Sequence, residues 1–343
     1  MKKKILLIIL ILLGIGAYFG YNFYSKIKNP NTIKKGFIYI KTNASFEDLK
    51  KEIAPFLKDS KSFDWVANKK QFTKPKAGKY LIKKGMSNNS LINMLRIGKQ
   101  VPVKLAFNNQ HSLEKLSGRI ASQIEADSIQ LLNAFTDKEF LKKNKFNKDQ
   151  VLGMFIPNSY QIKWNTSAEK FRDKMLSEYN KFWNKSRLEK AKKLNLTQIQ
   201  VTALASIVHW ETIKVSERPV VAGLYLNRLR DKWPLESDPT IIYAMNKKYD
   251  KDLEIRRVLF KYIEETKNSP YNTYKKPGLP PSLIAMPDIS AIDAVLNPKN
   301  HDYFFMCASV TKIGYHEFAK TLAQHNRNRT KYINKKNKQG VRR

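Results

Sequence analysis

The stretch "TQIQVTALASIVHWETIKVSERP", residues 197–219, puts one carboxylate on a helix face that is otherwise apolar. Leu204, Ile207, Val208 and Glu211 fall at i, i+3, i+4 and i+7, the spacing that lines one side of an α-helix. An acid turned inward with that face loses its water, and desolvation favours the neutral form. A carboxyl kept protonated near neutral pH is a ready general acid. The plainer outcome is a helix-end acid that turns to solvent or pairs with Arg218 or Arg228, and the spacing alone leaves both open. Asn227, Asp238 and Thr240 follow with hydrogen-bonding groups, and Tyr243, Tyr271 and Tyr274 with amphipathic rings. Polar groups set among aromatic walls suit a neutral, hydroxyl-rich polymer such as a glycan.

The elements that must position these residues are helical by pattern. Thr197 with Gln200 forms a capping box, and the helix it opens is expected to run to about Thr212. Ser216 is expected to cap a second helix, with Pro219 in its first turn, running through "VVAGLYLNRLR". Glu217 would lie in that first turn, where the helix dipole alone accounts for an acid. Asp238 precedes Pro239 and is equally suited to capping a turn. Downstream, "LESDPTIIYAM", "SPYNTYKKPGLPPSLIAMP" and "YHEFAKTLAQHN" alternate Pro- and Tyr-rich loops with short elements.

Composition narrows the class. The 343 residues are 42% hydrophobic and 11% aromatic, enough for an ordinary core and two or three domains. Against 29 acids stand 64 Lys and Arg, a net charge of +35 that favours polyanionic surroundings. The lysines are spread along the chain with no stripe and no helix-turn-helix, zinc-finger or RNP-like pattern, so no nucleic-acid partner is expected. Cys307 is the single cysteine, which excludes an internal disulfide, and "YFFMCASV" reads as a strand with the thiol as buried filler.

The N-terminus, "MKKKILLIILILLGIGAYFGYNFYSKIKNP", has three lysines and then a mostly apolar run over 5–24, enough to cross ~30 Å of hydrocarbon. Tyr18, Phe19, Tyr21, Phe23 and Tyr24 would form an aromatic belt at the far interface. The run is long for a cleaved signal peptide and no small-x-small site follows, so a retained single-span anchor is expected. Residues 1–4 would form a short cytoplasmic tail. Lys26 and Lys28 balance Lys2, Lys3 and Lys4, so charge does not fix the orientation. A polar linker, 25–35, is expected next. "IYIKTNASFEDLKKEI" and "YLIKKGMSNNSLINML" then repeat a pattern of strand, turn and serine-capped helix, which makes 36–103 a small α+β module. Residues 104–333 read as a larger mixed α+β domain, "VLGMFIPNSYQIKW" within it as a strand-like stretch broken by Pro157, and 334–343 as a basic tail.

Taken in order, "LASIVHWET", "SERPVVAGLYLNRLR", "PLESDPTIIYAM", "YNTY", "GLPPSLIAMP", "LNP", "YFF" and "HEFAKTLAQHN" resemble the endolytic murein transglycosylases of the MltG (YceG-like) family. The resemblance extends from the membrane anchor almost to the C-terminus and makes 36–103 that family's LysM-like module and 104–333 its catalytic domain. "GMFIPNSYQI" resembles the family's Phe-Pro-Asp-Thr-Tyr segment, with Asn158 where the acid stands and Leu152 where a glutamate stands. The family's Val-Glu-Lys-Glu stretch has His209 at its first acid here, leaving Glu211 as the catalytic acid the resemblance implies.

The implied reaction cleaves MurNAc–GlcNAc β-1,4 bonds within nascent glycan strands and leaves 1,6-anhydro-MurNAc ends. Asn227, Asp238, Thr240, Tyr243, Tyr271, Asn272, Tyr274 and Asn326 match positions expected to line the groove. His316 and His325 match the C-terminal motif, and without a ligand-spaced cluster they read as structural, with no metal and no cofactor expected. The resemblance implies a plasma-membrane protein with its catalytic domain on the outer face, peptidoglycan strands as substrate and peptidoglycan synthases as candidate partners. Two other readings remain at this stage. One is a wall-binding scaffold without activity; the other is a hydrolase pairing Glu211 with Asp238 as a second carboxylate.

Overall fold

The computed structural model describes residues 2–338. The first elements are α1 (Lys2–Lys28), β1 (Gly36–Ile40), α2 (Phe46–Ile53), α3 (Ser60–Lys69), β2 (Gly78–Ile82), α4 (Asn88–Ile97) and β3 (Val103–Phe107). Next come α5 (Leu113–Ala121), α6 (Ser128–Phe135), α7 (Lys138–Lys143), β4 (Asn158–Ile162), α8 (Ala168–Phe182), α9 (Lys185–Lys193) and α10 (Gln198–Glu211). The chain ends with α11 (Arg218–Arg230), α12 (Asp238–Tyr249), α13 (Phe260–Glu265), α14 (Ile289–Leu296), β5 (Phe305–Ala308), β6 (His316–Ala319) and α15 (Leu322–Lys338). The class is mixed α+β. Two compact units divide it: one takes the chain up to Leu105 with Ile120–Asp127 and Ser159–Ser167, the other takes the rest.

The sequence repeat is visible in the first unit. β1 pairs antiparallel with β2, Ile38 opposite Tyr80, and each strand feeds a serine-capped helix. Ser45 and Asp48 exchange both bonds of a capping box, and Ser87 accepts from the Ser90 N–H. Alternation along the strands and helical spacing along α2 and α4 send Ile38, Ile40, Leu49, Ile53, Tyr80, Ile82, Leu91 and Leu95 into one core. Gly78 opens β2 at φ +144°, where a side chain would be strained and a Cβ would meet Gln100.

Residues 25–35 differ from the linker expected of them. Residues up to Lys28 complete α1, and Asn31 and Thr32 are buried. Bridges pair Pro30 with Ser87 and Thr32 with Leu57. The Asn31 amide donates to Asn88 Oδ1 at 2.7 Å and to Asp59 O at 2.8 Å. Short polar side chains here replace backbone partners, which a composition argument reads as a linker. Similarly, 334–338 of the expected basic tail continue α15, while 339–343 and Met1 lie outside the described residues.

In the second unit α10 is the central helix, packed by α9, α11, α12 and α14. Every residue from Val201 to Val208 is buried, so the helix is enclosed on all sides rather than along one stripe. Its small residues allow this: Ser206 satisfies itself on Ala203 O at 2.7 Å and accepts from the Ile284 N–H at 3.1 Å. The Thr197–Gln200 capping box opens it and Thr212 closes it, as the sequence predicts. The start of α11 differs. A 3-10 turn, Val215–Glu217, precedes it and Glu217 takes the cap position without a side-chain cap bond. The Ser216 hydroxyl instead lies 3.4 Å from Tyr315 OH. "VLGMFIPNSYQIKW" is a strand only after Pro157; Val151–Met154 form a buried 3-10 turn. β5 and β6 form an antiparallel pair, and Cys307 within β5 is half-buried rather than enclosed.

Gly223 lets α11 meet the segment before β5. A Cβ there would lie 2.5 Å from Lys299 O and 2.8 Å from His301 Nε2, so backbone would have to move. Gly223→Ala is expected to destabilise this unit by about 1–3 kcal/mol. Gly118→Ala, in α5 with nothing within 4 Å, is expected to stabilise by about 0.4–1 kcal/mol. Urea midpoints of the two variants, read side by side, check the pair.

Candidate active site

Glu211 is the last residue of α10, where the enclosed helix reaches the surface and the side chain becomes half-buried. Neither suggested ion pair forms. Arg218 is buried and binds Asp288 at 3.0 Å, with Ser290 and His209 Nδ1 as further partners. Arg228 binds Glu236 at 3.0 Å and donates to the carbonyls of Pro234, Leu235 and Phe304. The Glu211 carboxyl meets two hydroxyls instead. Tyr225 OH donates to Oε1 at 2.8 Å and Ser237 Oγ donates to the same oxygen at 2.5 Å.

That arrangement separates the two oxygens by role. Oε1 is engaged by two donors, which leaves Oε2 as the position for a transferable proton. Burial is the largest influence on the group and lifts its pKa above the usual glutamate value; Ser237, Tyr225 and the charge of His316 oppose it, and the charge of Asp238 adds to it. Tyr225 is itself raised well above the ordinary phenol, chiefly by burial and then by the charge of Glu211, so it remains a donor. A protonated carboxyl with one anchored oxygen is suited to proton delivery and, once deprotonated, to proton recovery.

Each donor is held from below. Tyr225 is buried in α11. Ser237 is fully buried at the start of α12, after Glu236, which takes a left-handed φ of 51°. Thr273 fixes this bend: its hydroxyl accepts the Ser237 N–H at 3.1 Å and lies 2.8 Å from Thr240 Oγ1, and its carbonyl accepts the Glu236 N–H. The Arg228 bonds to Pro234 and Leu235 brace the same loop.

The other residues singled out in the sequence fall into two groups. Asp238 and Tyr274 are near the acid: Tyr274 OH donates to Asp238 Oδ1 at 2.6 Å, and both influence or feel the charge of Glu211. Burial, then that Asp238 bond, pushes the Tyr274 phenol up. The second group is occupied by the framework. Asn227 donates to His301 O and Tyr303 O, and Asn272 to Ile263 O and Thr266 Oγ1. Thr240 is buried on Ser237 O; Tyr271 is buried, bonds Ser282 at 2.7 Å and packs on Tyr243 at 4.7 Å. Asn326 is exposed on α15 and is not among the groups that meet Glu211.

Glu217 does more than complement a helix dipole. It is buried, and its carboxylate accepts His316 Nδ1 at 2.8 Å and the His316 N–H at 2.7 Å. Burial, the largest influence, would raise its pKa, but the His316 and Thr212 hydrogen bonds together bring it below the usual value. Beside this pair is a cavity of ≈ 390 Å³ walled by Ser216, Glu217, Lys312, Tyr315, His316 and Phe318, with Glu211 outside that wall. His325 stacks on Phe305 at 5.4 Å. Among the described residues no group of three His, Cys, Asp or Glu is placed to hold a metal.

The sequence profile of the YceG-like family matches residues 38–331. The chain belongs to that family. It is 30% identical over 297 residues to the endolytic murein transglycosylase of Bacillus subtilis strain 168, covering 82% of this chain and 79% of that protein. The endolytic murein transglycosylase of Streptococcus pneumoniae serotype 2 strain D39 is 28% identical over 362 residues, which is 96% of this chain but 65% of the relative. A 2.6 Å crystal structure of a YceG-like protein from Listeria monocytogenes superposes with a TM-score of 0.57 at 26% identity, over 86% of this chain and 98% of that one. Leu152 is a buried core side chain and Asn158 is exposed at the start of β4.

Residue spacing alone did not point to Tyr225, Ser237 or Thr273. Tyr225 sits in an apolar helical run and Ser237 beside the more conspicuous Asp238; only the fold brings them to Glu211.

Because the folded protein holds the Glu211 proton more tightly than the unfolded chain, this group's contribution to stability is greatest at low pH. It is lost as pH rises through the raised value. Thermal melts of Glu211→Gln and wild type should therefore coincide most closely near pH ~4, with the variant gaining as pH rises and the gap levelling above Glu211's pKa. Ser237→Ala removes a donor that lowers that pKa; its pH–rate profile should shift to higher pH, with about a tenfold loss of rate or more.

Proposed function

We propose that this YceG-like protein is a membrane-anchored endolytic lytic transglycosylase of peptidoglycan. The carrying observation is one carboxyl whose Oε1 is held by Tyr225 and Ser237 while burial raises its pKa. The relatives in Bacillus subtilis and Streptococcus pneumoniae, both endolytic murein transglycosylases, support the reaction class. α1, the one helix among the described residues long and apolar enough to cross a membrane, supports the anchor.

In this reading a glycan strand lies over the end of α10. Glu211 donates its proton to the glycosidic oxygen as the bond from C1 of MurNAc breaks. The carboxylate left behind takes the proton of the same sugar's C6 hydroxyl as that oxygen bonds to C1. The acid is restored, no water is consumed, and the new end is a 1,6-anhydro ring. The attack is intramolecular, so it gains a high effective molarity and needs no second carboxylate to activate water. Ser237 and Tyr225 steady the carboxylate between the two transfers. Asp238, with Tyr274, orients the substrate; Tyr243, Tyr271, Asn227, Thr240 and Asn272 shape the groove from behind, and Asn326 would touch a strand further along α15.

The remaining parts of the reading are the outer-face location of residues 104–333, the LysM-like character of 36–103 and partnership with peptidoglycan synthases. The strand–helix repeat supports the module assignment.

The deciding experiment incubates the full chain and Glu211→Gln with uncrosslinked glycan polymer and reads the new ends by mass spectrometry. Anhydro ends from the wild type, reduced about 10²- to 10⁴-fold or more in the variant, are expected. Reducing ends, heavier by one water, would replace the lyase with a hydrolase using Asp238. Equal cleavage by both proteins would remove Glu211 from the reaction. Binding without cleavage would leave a scaffold.

A further inference from the structure

The 27 residues of α1 span about 40 Å at 1.5 Å each, longer than the ~30 Å hydrocarbon layer that the apolar run 5–24 can fill. With α1 as the membrane span of the proposed function, its last turn extends into the headgroup layer, and that turn is not free. Phe23 meets Trp65 of α3 edge-on at 5.1 Å, and Ile27 packs against the first unit's core. Asn88, buried at the start of α4, donates to Lys26 O at 2.9 Å and to Ser62 Oγ at 3.0 Å. α1 and the 36–103 module are thus one body, which in that reading holds α3 and α4 at the depth of the lipid headgroups.

The side chains at that depth are cationic and lack counter-charges. Lys26 and Lys69 lie over the Trp65 ring at 5.2 and 6.0 Å. Lys70, half-buried with its ammonium on Asn93 Oδ1 at 2.6 Å, is close enough to Arg96 and Lys28 for their charges to act on it, and Arg96 bonds Lys70 O. Among the described residues none of Lys26, Lys28, Lys69, Lys70 and Arg96 is in an ion pair, while the one acid of α3, Asp64, faces Lys50 at 3.8 Å. Tryptophan between lysines whose stems reach up from an apolar ring is the arrangement that suits a membrane interface.

We propose that this collar of five cations around the end of α1 is a docking surface for anionic phospholipid. The headgroup phosphates supply the missing counter-charges and lock the module flat on the bilayer. Phosphate oxygens accept from ammonium and guanidinium groups, and the negative potential of such a surface concentrates around the collar. This role rests on the membrane-anchor part of the proposed function and is independent of its glycan chemistry.

The test uses the full chain in lipid vesicles, with an environment-sensitive fluorophore on Asn68→Cys, an exposed α3 position, in a Cys307→Ser background. Emission should rise about twofold and move to the blue when phosphatidylglycerol is added to phosphatidylcholine, and high salt should reverse it. Lys26→Gln/Lys28→Gln/Lys69→Gln, all exposed positions, should lose the response, and the matching Lys→Arg triple should keep it. Equal emission in neutral and anionic vesicles would overturn the proposal, as would a full response in the Gln variant or its loss in the Arg variant. Inorganic phosphate reproducing the change on neutral vesicles would also overturn it, by making the collar a site for free anions.

Discussion

A carboxyl that is to hold its proton must be taken out of water, and a carboxyl taken out of water must still have its oxygens met. Glu211 reconciles these demands by giving both donors to one oxygen. Had Arg218 or Arg228 supplied the contact, the attraction of a full charge would have stabilised the ionised form and cancelled the desolvation. Hydroxyls hold the group in place at a smaller cost: their hydrogen bonds also favour the ionised form, but burial outweighs them. Much of the second unit follows from this choice. Arg218 is committed to Asp288 and Ser290, Arg228 to Glu236 and three carbonyls, so both cations are satisfied elsewhere.

Those commitments also build the frame. Arg228 holds the loop that carries Ser237, Thr273 pins the left-handed bend before it, and Asn227 ties α11 to the segment that leads into β5. Side chains that a motif comparison assigns to substrate are here spent on backbone carbonyls. A family pattern can therefore mark a residue because it holds a loop, not because it touches a ligand. Glu217 illustrates the point from the other side: a helix-start acid proves to be a buried partner of His316 beside a cavity.

The first unit solves a different problem. A long apolar helix joined by a supple linker would leave its module free to tumble. The buried Asn31–Asn88–Ser62 network, bonded to Lys26 O, removes that freedom with short polar side chains. Such a network is costly unless every member is paired, which makes it specific to one arrangement of helix and module.

Sequence periodicity and end signals determined the long apolar helix α1, the capped starts at Ser45, Ser87 and Thr197, and the strand–helix repeat, because these depend on near neighbours in the chain. They also marked Glu211 as out of place, though for a reason the structure alters. α10 is buried on every side, so the i, i+7 stripe was not its only inward face, and the acid matters because it ends the helix where the core opens. What the spacing could not give was which groups meet Glu211. Tyr225 lies 14 residues on and Ser237 26 residues on, each in another helix or at its start. Their meeting depends on how α10, α11 and α12 pack, and so do the pairing of Glu217 with His316 across 99 residues and the ordering of 29–33. Local spacing fixes which residues share a face; only packing decides what that face meets.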